Sequence, residues 1–200
     1  MDQTDFDVRP FLTRMADGRL GVDPSFWSAV CHAYGPADDM PALLATAAGG
    51  DADAAEWAMR LLWSSAWHQG TVYSAAALAT PFLLDAAMDP AVHDRPRMLL
   101  MAAAAARRYR FQNYGRADLL GVAYTEPRYD TFGQRIDCTN EAARTVIASR
   151  ASAVVALLDD PDARLRTMAA YTLAAAAPDS SDIAPALRTR LADDPWATQP

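Results

Sequence analysis

Apolar residues recur at helical spacing over most of the chain. The clearest stretch spans 161–176, where Leu165, Met168, Ala169, Leu173 and Ala176 fall on one stripe. Asp160 is placed to cap this helix, Pro161 suits a first helical position, Asp162 complements the dipole, and Pro178 forbids continuation past Ala177. Upstream, a helix over 140–158 aligns Ala143, Val146, Ile147, Arg150, Val154, Leu157 and Leu158. Downstream, 182–191 supplies another. Residues 40–48, 53–67 and 71–88 read as three more, with Gly70 as a terminator, Thr71 as the next cap, and Pro81 expected to kink the last. A further helix spans 95–108. The first 37 residues hold short helical stretches at 8–17 and 24–33, divided by Gly18 and Gly21.

The pattern repeats. Three of the Asp-Pro steps place prolines at 90, 161 and 195, intervals of 71 and 34 that a unit of about 35 residues, taken twice and then once, reproduces. Within that unit, Asp160-Pro161-Asp162-Ala163-Arg164-Leu165-Arg166-Thr167-Met168-Ala169-Ala170-Tyr171-Thr172-Leu173 resembles the second helix of a HEAT repeat. The run from His68 through Gly70 to Tyr73, followed by Pro81-Phe82-Leu83, looks like a segment of small bacterial HEAT-repeat proteins. The likeness is good over 138–195, moderate over 53–108 and absent over 1–37. It implies an all-α fold: a short right-handed α-solenoid of antiparallel helix pairs with about 8–10 helices. In such folds an aspartate near the turn and an arginine early in the second helix form an inter-repeat ladder. Here that structural role would fall to Asp160 or Asp162 and to Arg166. One domain results, with 1–37 as a capping segment, 38–108 and 136–200 as helix pairs, and 109–135 as a long connector.

Composition changes this picture mainly through three residue types. Of 200 residues, 44 are alanine, which favours closely packed helices, and all 18 basic residues are arginine. Aspartate supplies 22 of the 25 acids, clustered at predicted turns where it serves as a cap. A formal charge of −7 argues against general nucleic-acid binding. No run of about 18 uncharged apolar residues is present and the amino terminus is acidic, so a cytoplasmic protein without a membrane span is expected. Cys31 and Cys138 lack a Cys-x-x-Cys spacing and read as buried thiols, and His32, His68 and His93 have no metal-binding spacing. Neither a metal nor a cofactor is expected.

Charge is unevenly placed. Residues 107–135 carry six arginines against three acids, while the segments on either side are acidic. Arg107, Arg108, Arg110, Arg116 and Arg128 alternate there with Tyr114, Tyr124 and Tyr129. Arginine forks and tyrosine rings are the residue types enriched at interaction hot spots, so this connector is the candidate binding element. The alternative is that its arginines fold back onto the acidic body. A second concentration, Trp57, Trp63, Trp67, His68, Gln69 and Tyr73, is expected to pack between helices. His68 as general base and Tyr73 as hydrogen-bond donor are the catalytic candidates, in a small pocket of acid/base, lyase or cyclase type. The reading that follows is a non-enzymatic adaptor with a protein partner, of the inhibitory or immunity type. A small-molecule enzyme is the alternative.

Overall fold

The computed structural model describes residues 7–9, 12, 24–107, 128–176, 183, 185 and 187–189. It is all-α apart from one short hairpin. Helix α1 (Pro24–Ala29) leads into β1 (Cys31–His32), antiparallel to β2 (Gly35–Pro36) with His32 opposite Gly35. The periodicity over 24–33 predicts a helix throughout. The chain instead turns after Val30, where Ala37 N–H reaches back to the carbonyls of Trp27 and Val30, and Gly35 adopts a φ of 131°.

Six further helices follow: α2 (Met40–Ala47), α3 (Ala52–Ala66), α4 (Ser74–Met88), α5 (Arg95–Ala106), α6 (Ile136–Ser149) and α7 (Ala151–Ala156), and α8 (Ala163–Ala176) completes the described array. Start signals explain several of these. The Asp51 carboxylate accepts from the backbone of Asp53 and Ala54 at 3.1 Å, and Asp94 accepts from Arg97 N–H at the head of α5. Pro96 sits in the first turn of α5, where its missing N–H costs nothing.

Three sequence expectations need correction. The helix expected over 140–158 is two. Arg150 leaves helical geometry (φ −112°, ψ 14°) while its guanidinium crosses to the Pro81 carbonyl and Asp85 on α4. Helix α8 starts at Ala163, so Asp162 is its cap through Arg164 N–H at 2.8 Å, while Asp160 binds Asp162 N–H in the preceding turn. Thr71 closes the preceding turn through its N–H on the His68 carbonyl and does not cap α4, which starts three residues later from Tyr73. Pro81 lies within α4, which continues on both sides of it. Of the helix expected over 182–191, positions 183, 185 and 187–189 are helical, with Ile183 buried, and the rest lie outside the described residues.

The helices pack in consecutive pairs. Helix α2 lies on α3, α4 on α5, and α6 with α7 against α8; between pairs, α4 meets α6 and α5 meets α8. Alanine makes those contacts close. Ala75–Ala77 and Ala79 in α4 and Ala102–Ala106 in α5 are buried, interleaved with Leu78, Leu83, Leu84, Leu99 and Met101. Trp27 covers one end of this core, its ring 6.0 Å from that of Phe82.

Polar side chains tie the pairs together across the core. Thr172 on α8 donates to the Leu99 carbonyl on α5 at 3.0 Å. From α6, the Asn140 amide donates to the Ala105 carbonyl at 2.7 Å, and Arg144 to that of Ala106 at 3.2 Å. Those carbonyls belong to the last turn of α5, which lacks helical donors of its own. Arg95 donates to the Ala87 carbonyl at 2.8 Å and pairs with Asp160 at 3.1 Å, both side chains mostly buried.

Ion pairs of this kind set an acid limit. The Asp162 N–H and the Arg95 guanidinium hold the Asp160 carboxyl below its ordinary range, and Arg9 does the same for Asp7. Burial raises Asp137, but its bonds from Arg135 and the Arg128 N–H leave it lowered on balance. A carboxylate whose folded value lies below its unfolded value near 4 stabilises the fold above that value and loses the contribution as pH falls through the folded value. The urea midpoint is therefore expected to drop as pH falls from about 5 to about 3, with a shallower drop in the Asp160→Asn variant. An equal drop in that variant would rule Asp160 out as a contributor.

Candidate functional site

The carboxyl end of α3 builds the most exposed aromatic surface among the described residues. The buried stripe of α3 is Ala55, Ala58, Met59, Leu62, Ser65 and Ala66, which turns Trp57, Leu61 and Trp63 outward. Trp57 and Trp63 are 58% and 38% exposed, so neither packs between helices as their sequence context suggests. Trp67 does: it leaves helical geometry at the end of α3 and is buried, with Trp63 stacked on it at 5.8 Å between ring centres. Its indole Nε1–H is enclosed and meets no acceptor among the described residues, an uncommon condition for a buried donor.

Beyond Trp67 the chain makes a tight turn, His68–Gly70, in which Gln69 takes a left-handed conformation (φ 47°, ψ 40°) followed by Gly70 at φ 79°. Such geometry is strained for glutamine and unstrained for glycine. The turn presents His68 to the β1–β2 hairpin. His68 Nδ1 donates to the Ser64 carbonyl at 2.9 Å, closing the helix end, and its ring meets that of Tyr34 edge-on at 5.5 Å. Tyr34, 69% exposed, also contacts the His32 ring at 6.0 Å. His32 is buried; its Nδ1 accepts from Tyr34 N–H at 3.1 Å, so the ring proton sits on Nε2 and is given to Asp39 at 2.9 Å. Contacts thus link Asp39, His32, Tyr34 and His68, and the buried Trp67, next to His68 in the chain, carries the exposed Trp63 on its face.

Among the described residues no hydrogen bond or ring contact joins the two catalytic candidates. Tyr73 is buried with its ring 6.5 Å from Phe132, on the side of the chain that faces the 128–135 turn. His68 acts as a cap and has no carboxylate on its Nδ1. Both nitrogens of His32 are occupied, so it offers no free base. Cys31 is half-buried rather than enclosed and Cys138 is buried. Burial pushes both thiols up, and nearby Asp130 adds to the rise at Cys31, which is the opposite of nucleophile activation. Among the described residues no group of three or more His, Cys, Asp or Glu is placed to hold a metal ion, and no helix is long and apolar enough to cross a membrane.

Of the connector, Arg108, Arg110, Tyr114, Arg116 and Tyr124 lie outside the described residues. Its two ends are fixed to the body. Arg107 lies over the Tyr171 ring at 4.9 Å from its centre and bonds its hydroxyl. At the other end, Tyr129 is half-buried and bridges Arg135, with Ile136 N–H on the Arg128 carbonyl at 2.9 Å, so residues 128–135 form a closed turn. Asp130 organises this turn by accepting from Phe132 and Gln134 N–H. Burial pushes the Asp130 carboxyl up despite those bonds. The Gln134 side chain then reaches Ser74 and Cys31, pinning the turn to α4 and the hairpin.

The expected ladder is rearranged. Arg166 donates to the carbonyls of Asp160 and Pro161, at 2.8 and 3.0 Å, within its own turn. Asp162 serves only its helix start. The link between pairs is Asp160 with Arg95 from α5, and Arg164 adds a longer contact to Asp94 at 3.9 Å. Nothing in the sequence around Arg95 marks it for this role, because the partner is 65 residues away. No protein-family model, curated protein or solved structure gives a significant match to the chain.

Proposed function

We propose that the chain is a non-enzymatic binding protein, a short HEAT-like solenoid that holds a protein partner in the manner of an adaptor or inhibitor. The stacking order supports the solenoid reading, since first helices (α4, α6) meet one another and second helices (α5, α8) do likewise. The observation that carries the function is the outward surface of α3. Trp57, Leu61 and Trp63 are large, apolar and exposed together with Tyr34. Tryptophan and tyrosine dominate interface hot spots, and an apolar surface kept in water marks a site of contact. The arginine-rich connector, anchored at Arg107 and at 128–135, is the second contact element of this reading.

The acid/base alternative finds less support. Tyr73 is packed away, and His68 caps a helix.

Affinity capture from the native cell tests the proposal. The full-length chain should recover one protein, and a Trp57→Ala/Leu61→Ser variant, unchanged in unfolding midpoint, should recover at least tenfold less, as expected for loss of an aromatic anchor. Replacing Arg108, Arg110 and Arg116 with alanine should have the same consequence. Equal recovery by both variants, or co-purification of a small molecule that the chain converts, would overturn it.

A further inference from the structure

The corner where α3 ends is made almost entirely of groups that attract positive charge. The Tyr34 and Trp63 rings face solvent, and aromatic faces hold cations. Asp39 is exposed, with one carboxylate oxygen on His32. In the neutral His68 ring, donation from Nδ1 to Ser64 leaves Nε2 with a lone pair, an acceptor without a partner among the described residues. The carboxyl terminus of α3, fifteen residues long, adds the negative end of its dipole. The surrounding sequence adds no opposing charge. Between Arg19 and Arg95 there are nine acids and one arginine, Arg60, which pairs with Glu56 one turn earlier on α3.

We infer that this corner is the docking site for a basic segment of the partner protein, receiving an arginine or lysine side chain on the Tyr34 and Trp63 faces with Asp39 and His68 Nε2 as hydrogen-bond acceptors. The inference rests on the binding reading above and gives its partner a chemistry. A guanidinium suits the site best, because it stacks on aromatic planes and donates in its own plane to a carboxylate at the same time. An acidic segment would meet the Asp39 carboxylate and the negative end of the α3 dipole, both of which repel it.

A capped tetra-arginine peptide and its citrulline counterpart, which keeps the planar shape but replaces one nitrogen with a carbonyl oxygen and loses the charge, are suitable probes. Binding is read by the intrinsic fluorescence of the tryptophans and by calorimetry. The arginine peptide should bind the full chain and weaken on added salt, and the citrulline peptide should bind at least threefold more weakly, the scale of an exposed cation–aromatic contact. Tyr34→Ala should weaken the arginine peptide by a similar factor with an unchanged unfolding midpoint, since the ring is mostly in water. His68→Phe should keep the ring contact and lose part of the affinity. Thr167→Ala, on the exposed side of α8, should leave peptide binding unchanged. Equal binding of both peptides, or indifference to Tyr34→Ala, overturns the inference. A captured partner that depends on Trp57 and Leu61 but not on Tyr34 would refute this corner while leaving the binding reading intact.

Discussion

Replacing Asn140 with leucine or Arg144 with methionine should each destabilise the fold by about 1–3 kcal/mol, although both substitutes are apolar, near in size and placed in a buried setting. The reason lies in α5. Its last carbonyls, those of Ala105 and Ala106, are buried and have no helical donor; α6 supplies the Asn140 amide and the Arg144 guanidinium instead. Removing either leaves an acceptor enclosed without a partner, which costs its full desolvation, and removing both should cost less than twice as much because they serve the same helix end. For a chain of this size each kcal/mol lowers the melting temperature by about 2–4 °C. Urea unfolding at neutral pH, with an unchanged slope, is the measurement. Midpoints unmoved by both substitutions would mean that water or another group satisfies these carbonyls.

Those two residues also show where sequence reading stops. Their helix was legible, because Ala143 and Ile147 recur at helical spacing. Their role was not, since Asn140 and Arg144 are polar letters on an apolar stripe, and their acceptors lie 35 and 38 residues upstream. The same holds for Arg95 and Arg150, which bond carbonyls of α4. A chain with arginine as its only basic residue invites the idea that a local cluster, 107–135, carries the meaning of that choice. In the fold, arginine also serves as a staple between helices, a use that leaves no local pattern. The aromatic corner was half legible. Trp63, Trp67 and His68 stand within six residues, but Tyr34 joins them only because residues 31–36 form a hairpin, and two-residue strands are too short to leave a periodicity. The outward turn of Trp57 and Trp63 follows from which stripe of α3 is buried, and alanine at Ala55, Ala58 and Ala66 hides that stripe from any reading that looks for large apolar residues.

Alanine carries the second large effect. Ala105→Leu, and separately Ala102→Leu, should destabilise the protein by about 1–3 kcal/mol or more, whereas Ala42→Leu on the exposed face of α2 should stay within about 0.5 kcal/mol. Leucine is an excellent helix former, so helix propensity predicts almost no loss at any of the three sites. What differs is space. Helix α5 is met by α4, α6 and α8, and Ala102 and Ala105 are fully enclosed, three residues apart on the same face. A leucine there must push a neighbouring helix away. Any such movement also lengthens the bond from Thr172 to the Leu99 carbonyl, so the cost is not confined to packing. Hydrogen exchange adds a second reading of the same variants: protection should fall in α8 and α6, the helices displaced, before it falls in α2 and α3. If Ala105→Leu leaves the unfolding midpoint where it was, the helix pairs are not in close contact. The stacked arrangement, and with it the solenoid reading of this chain, would then lose its main physical support.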